Sequence, residues 1–145
     1  MMGWRSYILV AVQLSCIGWL VITGPWLARH WEFLLLEFLG LALGIWALLA
    51  MNLHSLTVFP DVKTGSLLIT HGPYRIIRHP MYTAVLLVTL ALVLDVWSLS
   101  RLGVWLLLLC DLMLKLSYEE GLLIQHFEGY QEYQRRTTRL VPFLF

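Results

Sequence analysis

The stretch Gly72–Tyr82, GPYRIIRHPMY, is the longest polar interruption in an otherwise apolar sequence. It gathers two prolines, two arginines, a histidine and two tyrosines within eleven residues. Side chains of this kind are costly beside lipid, so their concentration indicates a segment with a function. Which function it can serve depends on what the rest of the chain brings near it.

The composition around this stretch is that of an integral membrane protein. The 145-residue chain is 59% hydrophobic and 13% charged, with a mean hydropathy of +0.75. A soluble domain of this length could not bury so much apolar surface. The net charge of +1 argues against a nucleic-acid partner. The apolar segments follow one another closely, which predicts one domain over residues 1–145.

Cysteine and histidine usage argues against two kinds of site. Cys16 and Cys110 both lie in apolar runs, so we expect buried, inert thiols and no disulfide. The histidines show no His-x-x-x-His spacing and have no cysteine near them, so no metal site is expected. The first apolar run lacks a small-residue cleavage site, which favours a retained span over a signal peptide.

Four apolar segments predict four transmembrane helices, at about residues 4–22, 33–51, 80–95 and 102–117. The first two approach the ~20 residues that a bilayer requires. Gly40 and Gly44 form a G-x-x-x-G pair in the second span, which favours close approach of another helix. Pro80 suits the first turn of the third span, and a tight turn joins that span to the fourth as a helical hairpin.

The polar segments complete an all-α architecture. Residues 52–80 form a long connection in which Gly72 and His79, each before a proline, should be non-helical. The fourth helix is predicted to leave the membrane near Ser117 and to continue to about residue 136, because apolar residues recur with helical spacing and make residues 118–136 amphipathic. Within the fourth span, Asp111 and Lys115 are spaced to pair on one helix face.

Basic residues predict the topology. The connection between spans two and three and the C-terminal tail carry three arginines or lysines each, whereas each remaining loop carries one. The positive-inside rule therefore places both termini and the long connection in the cytoplasm. The hairpin then brings Gly72–Tyr82 and Lys115–Tyr133 together at the cytoplasmic surface.

The two segments offer complementary charges. These side chains are Arg78, His79 and Tyr82 on one segment and Lys115, Glu119 and Glu120 on the other. Free N–H groups at the start of the third helix would favour an anion, and Tyr74 would favour a cation or a stacked base. The pattern suits a zwitterionic ligand with a carboxylate and an ammonium or sulfonium. The same residues are also compatible with interfacial anchoring of the two segments.

The same segments carry a family resemblance. In order they read LLITHGPY over residues 67–74, RHPMY over residues 78–82, Glu119-Glu120-x-x-Leu123-x-x-x-Phe127, and Tyr130-x-x-Tyr133. This series resembles the isoprenylcysteine carboxyl methyltransferase family, which is itself similar to bacterial phospholipid methyltransferases. The resemblance covers residues 66–142.

The resemblance implies a small multispanning enzyme that uses S-adenosylmethionine at the cytoplasmic side and releases S-adenosylhomocysteine. Lys115 and Glu119 correspond to the catalytic positions, Glu119 at the methionine end of the cofactor and Lys115 on the substrate side. Ser66 stands where the family often has histidine. The positions that correspond to cofactor contacts are Ser66, Leu67, Leu68, Ile69, Tyr74, Arg78, His79, Pro80, Met81, Tyr82, Glu119 and Glu120.

The acceptor implied by the resemblance is lipophilic or prenylated, and its tail would enter from the bilayer near the Asp111–Glu119 face. A carboxylate acceptor is ionised at neutral pH and needs no base, and Lys115 would orient it. An amine, as in phospholipid methylation, must first lose a proton to Glu119 or Glu120. The sequence is also compatible with a thiol acceptor, with an NADPH-dependent membrane reductase and with a non-catalytic membrane scaffold.

Overall fold

The computed structural model describes residues 4–51 and 68–142 of the chain. Over these residues regular structure is helical, apart from one isolated parallel bridge between Ile77 and Thr138. A short 3₁₀ helix, Gly72–Arg75, precedes the third α-helix. The α-helices are α1 (Trp4–Ile22), α2 (Trp31–Ala50), α3 (Pro80–Asp95), α4 (Leu99–His126) and α5 (Tyr130–Arg136).

The first two helices have the length and composition to cross a bilayer. The bounds of α1 coincide with the predicted span, and α2 begins at Trp31, two residues before the predicted start. Within the described ranges they are the two helices that meet both criteria, and α3 is a shorter apolar helix. Large apolar side chains cover the outer face of α2 and are exposed, for example Phe38, Ile45 and Leu49. This apolar surface supports association with a membrane.

The fourth helix continues beyond its span, as predicted, but it ends ten residues before the predicted end at residue 136. α4 continues for 28 residues, well past the predicted span, and ends at His126. Gly129 then adopts a φ of +87°, a left-handed conformation that interrupts a helix and favours glycine. The prediction of one continuous helix over residues 118–136 is therefore wrong. These residues form the end of α4, a break, and the seven-residue α5.

The helices pack around α3. α2 lies along α3, and Gly40 allows this approach because a Cβ there would stand 2.9 Å from Val88 Cγ2. The G-x-x-x-G pair thus has the packing role that was predicted. On its other side α3 contacts α4 and α1, and α1 also packs against α4. Leucines from these three helices, including Leu20, Leu86 and Leu112, form the buried core.

At the end of the bundle away from the Gly72–Tyr82 stretch, two polar side chains tie the loops together. Asp95 Oδ1 accepts the backbone N–H groups of Arg29 and His30 at 2.8 and 2.9 Å. Arg101 donates to the carbonyl of Leu20 at 3.1 Å and that of Leu92 at 3.0 Å, near the ends of α1 and α3. The loops 23–30 and 96–98 therefore lie at the same end of the molecule.

The cysteine prediction holds for one of the two residues. Cys16 is buried in the core, whereas Cys110 is exposed on α4. Apolar surroundings in the sequence do not distinguish a core face from a face turned toward lipid, and this explains the difference.

Candidate functional site

The α3–α4 hairpin brings the two predicted segments together. Tyr82, in the first turn of α3, donates a hydrogen bond of 2.5 Å to Glu119 Oε1 on α4. His79, the residue before α3, has its Nδ1 3.6 Å from Glu119 Oε2. A motif on residues 78–82 and a glutamate pair 37 residues later therefore form one side-chain cluster.

His79 lies at the centre of this cluster. Its ring stacks on the Tyr82 ring with the planes 5° apart and the centroids 5.5 Å apart. Its Nε2 is 3.4 Å from Glu120 Oε1, and the residue is 8% exposed. As predicted for a residue before proline, its backbone is not helical, with φ −123° and ψ 59°.

The carboxylate of Glu119 faces a mixed environment. Burial raises its pKa, although His79 and the Tyr82 hydroxyl favour the ionised form. The side chain is still 17% exposed, so it remains accessible to a ligand. A partly accessible carboxylate in largely buried surroundings is an attractive partner for a cationic group.

The neighbouring carboxylate is held by arginines. Glu120 Oε1 accepts from Arg78 Nε at 2.7 Å, and Glu120 Oε2 lies 3.1 Å from both Nε and Nη2 of Arg139. Burial alone would raise the pKa of Glu120, but the hydrogen bonds from His79 and Arg78 lower it to about 2. Glu120 is therefore ionised and occupied by protein groups.

Lys115 is enclosed on the other side of the cluster. Its ammonium donates to Gln13 Oε1 of α1 at 2.8 Å and lies 5.3 Å from the centroid of the Tyr82 ring. Lys115 is 1% exposed and Asp111 is also buried, because α1 packs against this face of α4. Around Asp111 and Lys115, the face where a lipid tail was expected to enter is covered by α1 in this structure.

The start of the motif is shaped by Gly72 and Pro73. Gly72 has a φ of +60°, and a Cβ there would meet Ala50 at 2.9 Å, so glycine is required for conformation and for space. Gly72 is the first residue of the 3₁₀ helix, but its left-handed φ is not a right-handed helical conformation. The carbonyl of Tyr74 accepts a 2.6 Å hydrogen bond from the Tyr133 hydroxyl, and this contact fixes Tyr74 against the C-terminal helix.

The remaining positions predicted to contact the cofactor lie just before the motif and at the start of α3. Leu68 and Ile69 are half-buried and have no regular secondary structure, and Ser66 and Leu67 lie outside the described residues. Pro80 is buried at the first position of α3, and Met81 is half-buried beside it.

The start of α3 offers fewer free N–H groups to an anion than the sequence predicts. The N–H of His79 donates to the Arg139 carbonyl at 3.1 Å. The N–H groups of Tyr82 and Thr83 donate to the His79 carbonyl at 3.1 and 3.2 Å. These donors, which were expected to be free, are therefore satisfied within the protein.

Three residues of the cluster were missed by sequence reasoning. Gln13 is one of two polar side chains between Tyr7 and Ile22, and that rarity was the signal that could have indicated it. Tyr133 belongs to the Tyr130-x-x-Tyr133 element but was given no role. Arg139 had no local signal, because its contact with Glu120 depends on the break after α4.

The fold and cluster define a class of protein before any comparison. A buried set of charged and aromatic side chains lies at one end of a helical hairpin, in a chain with two membrane-length helices. This arrangement is typical of a membrane-associated protein with a ligand site at the end of its helices.

A family model for phospholipid methyltransferases matches residues 28–129, well over half of the chain. The chain therefore belongs to the phospholipid methyltransferase family. The matched range contains α2, α3 and α4, and with them both the Arg78–Tyr82 motif and the glutamate pair. No curated protein and no solved structure matches the chain.

Proposed function

We propose that this protein is an S-adenosylmethionine-dependent methyltransferase that methylates a lipophilic acceptor at the cytoplasmic face of a membrane. The observation that carries the proposal is the position of Glu119, a partly accessible carboxylate held by Tyr82 next to His79. Membership of the phospholipid methyltransferase family supports the reaction class.

The donor set fits this cofactor. Its methionine end carries an ammonium, which Glu119 would bind, and its cationic character suits the aromatic ring of Tyr74. Leu68 and Ile69, just before the motif, would contact it through the backbone, and Pro80 and Met81 would line the same wall. When bound, S-adenosylmethionine supplies a methyl group activated by a sulfonium.

The protein's own contribution is alignment and exclusion of water. The hydrogen bond from Tyr82 fixes one oxygen of Glu119, and the stacked His79 ring fixes Tyr82. Lys115, held by Gln13 on the far side of Tyr82, would orient the acceptor. Burial of the cluster keeps bulk water from the reacting groups.

Two acceptor chemistries follow from different observations. The family match favours the amine of a phospholipid head group, which would have to lose a proton to a base before transfer. The buried cation of Lys115 favours a carboxylate such as that of an isoprenylcysteine, which needs no base. The bilayer supplies the acceptor in both cases.

The proposal is tested by isothermal titration of the detergent-solubilised protein with S-adenosylhomocysteine. We expect saturable binding of one equivalent. Absence of heat up to millimolar ligand would contradict the proposal. Thermal stabilisation by NADPH without stabilisation by S-adenosylhomocysteine would favour a membrane reductase instead.

The acceptor is tested with methyl-labelled cofactor. Phosphatidylethanolamine vesicles and a farnesylated cysteine are offered separately, and transfer of label into the lipid phase is measured. Label in the amine lipid alone identifies a phospholipid methyltransferase, and label in the cysteine alone identifies a carboxyl methyltransferase. Cofactor binding without transfer to either lipid or to a thiol lipid would favour a non-catalytic membrane scaffold.

A further inference from the structure

The segment of residues 137–140, here called the C-terminal strap, is paired with the backbone of the motif. The N–H of Thr138 donates to the Ile76 carbonyl at 3.0 Å, and the N–H of Arg78 donates back to the Thr138 carbonyl at 2.8 Å. The next pair is formed by the His79 N–H and the Arg139 carbonyl at 3.1 Å. The strap therefore fixes the backbone just before α3.

Side chains strengthen the same attachment. The guanidinium of Arg78 donates to the carbonyls of Gln134, at 3.0 Å, and of Thr137, at the end of α5. The Thr83 hydroxyl donates to the Leu140 carbonyl at 2.7 Å, one turn inside α3. Arg78 is therefore held by the protein through its Nε and Nη1 atoms.

Arg139 joins the strap to the glutamate pair. Its side chain is 34% exposed and places two nitrogens 3.1 Å from Glu120 Oε2. The other oxygen of Glu120 faces Arg78 Nε and His79 Nε2. The two carboxylate oxygens are thus divided, one toward Arg139 and one toward the motif.

We propose that Arg139 is a positioning residue: it holds the Glu120 carboxylate in the orientation that presents Oε1 to His79, and thereby sets the His79–Tyr82 stack beside Glu119. That the His79–Tyr82 stack serves cofactor binding rests on the proposed function, whereas the contacts of Arg139 and Glu120 do not depend on it. The Arg139 contacts that carry the inference are those with Glu120, so its effect on Glu119 passes through Glu120 and His79.

The physical reason is that Arg139 and Arg78 compete for the Glu120 carboxylate. Without Arg139, Glu120 is free to turn both oxygens toward Arg78, which already offers a 2.7 Å contact. Glu120 Oε1 then leaves its place 3.4 Å from His79 Nε2, and the ring is no longer held parallel to Tyr82. A small displacement at this point is amplified in the site, because misplacement of reacting groups by about 1 Å can cost about 100-fold in rate.

The first test compares Arg139→Gln and Arg139→Lys with Arg136→Gln. Arg136 is a matched control because it lies three residues earlier, is 75% exposed and pairs only with Glu132 among the ion pairs of the described residues. We expect Arg139→Gln to weaken S-adenosylhomocysteine binding roughly 10- to 100-fold, the loss typical for a residue that orients a ligand-binding side chain without touching the ligand. Arg139→Lys, which keeps the charge but not the two-point contact, should lose less, and Arg136→Gln should match the wild type.

The second measurement needs no cofactor. The ring ¹³C–¹H signal of His79 in detergent micelles, assigned with His79→Gln, should shift in Arg139→Gln and remain in place in Arg136→Gln. An unshifted signal would overturn the inference even if no variant bound cofactor. If the signal shifts while wild-type protein binds no S-adenosylhomocysteine, the proposed function fails and the positioning role stands. Equal loss of affinity in Arg139→Lys and Arg139→Gln would also contradict the inference.

Discussion

Two adjacent glutamates occupy opposite environments, and this difference assigns them different tasks. Burial raises the pKa of Glu119, whereas hydrogen bonds from His79 and Arg78 lower the pKa of Glu120 to about 2 in spite of its burial. A pair of carboxylates with pKa values driven apart separates a ligand-binding role from a structural role. Glu119 is the member of the pair that is accessible to a ligand.

Replacement of Glu119 by alanine should remove cofactor binding. Truncation of one member of a charge pair in a largely buried site costs about 2–5 kcal/mol, so the affinity for S-adenosylhomocysteine should fall by about 30-fold or more. Isothermal titration of the purified variant measures this. The fold should persist, because the substitution leaves the arginine contacts of Glu120 in place.

Glu132→Ala is the control for this variant. Glu132 lies on the exposed face of α5 and pairs with Arg135 and Arg136, and exposed pairs of this kind contribute little. Its binding isotherm should match the wild type. Equal affinity in Glu119→Ala and Glu132→Ala would remove Glu119 from the cofactor site.

Glu120 should make the stability of the protein sensitive to acid. Its pKa falls from 4.5 to about 2 on folding, so the folded state favours the ionised form. The resulting stabilisation, roughly 3 kcal/mol, is fully present above about pH 4.5 and is lost as the pH falls toward 2. Thermal unfolding in detergent, followed from about pH 6 to about pH 3, measures this loss.

The comparison with Glu120→Gln isolates this residue from other carboxylates. The variant leaves Arg78 and Arg139 without the Glu120 carboxylate, so it should be less stable than the wild type at neutral pH. The difference between the two proteins should shrink below about pH 4.5, because the unfolded wild type then binds a proton at Glu120 that the folded protein does not, which favours unfolding. A difference that stays constant down to about pH 3 would contradict the assignment.

At the scale of elements, the contact between α2 and α3 depends on Gly40. A Cβ there would stand 2.9 Å from Val88 Cγ2 and 3.0 Å from the Val88 backbone nitrogen, so the helices would have to separate. We expect Gly40→Ala to destabilise the protein by about 1–3 kcal/mol. The midpoint of thermal unfolding in detergent is the measurement.

Gly103→Ala provides the matched control, since no atom lies within 4 Å of a Cβ at that helical position. Alanine has the higher helix propensity by about 1 kcal/mol, so this variant should be as stable as the wild type or more so. If Gly40→Ala also unfolds at or above the wild-type temperature, α2 does not pack on α3 as described.

Some helix boundaries could be predicted from the sequence and others could not. The bounds of α1 and α3 were predicted because long uncharged runs and Pro80 are local signals. The break between α4 and α5 was missed because helical periodicity continues on both sides of Gly129, which predicts one uninterrupted helix. A glycine in a periodic segment is compatible with helix, and its positive φ is decided by the tertiary fold.

At the scale of the whole molecule, the half of the site made by the hairpin was predictable and the half made by the strap was not. The hairpin follows from two apolar runs joined by a short turn, which places Tyr82 near Glu119. Arg139 reaches Glu120 only after the chain has turned at Gly129 and Thr138 has paired with Ile76. No local pattern encodes that return.

The packing of the whole molecule also predicts how many times the chain crosses the membrane. α3 has 16 residues and spans about 24 Å, less than the ~30 Å of a hydrocarbon core. Nevertheless Asp95, its last residue, binds the α1–α2 loop at Arg29, and Arg101 reaches Thr23 at 2.8 Å. The α3–α4 turn is therefore level with the loop between α1 and α2, so we expect four crossings.

Cysteine labelling tests this topology. Single cysteines replace Leu27 in the α1–α2 loop, Trp97 in the α3–α4 turn and Gln131 in α5, all exposed, after Cys16 and Cys110 are changed to alanine. With an impermeant maleimide on intact cells, Leu27→Cys and Trp97→Cys should label, and Gln131→Cys only after permeabilisation. Labelling of Trp97→Cys together with Gln131→Cys would mean that the hairpin does not cross. Labelling of Gln131→Cys alone in intact cells would place the glutamate pair on the outer face, opposite to the cytoplasmic site proposed for the cofactor.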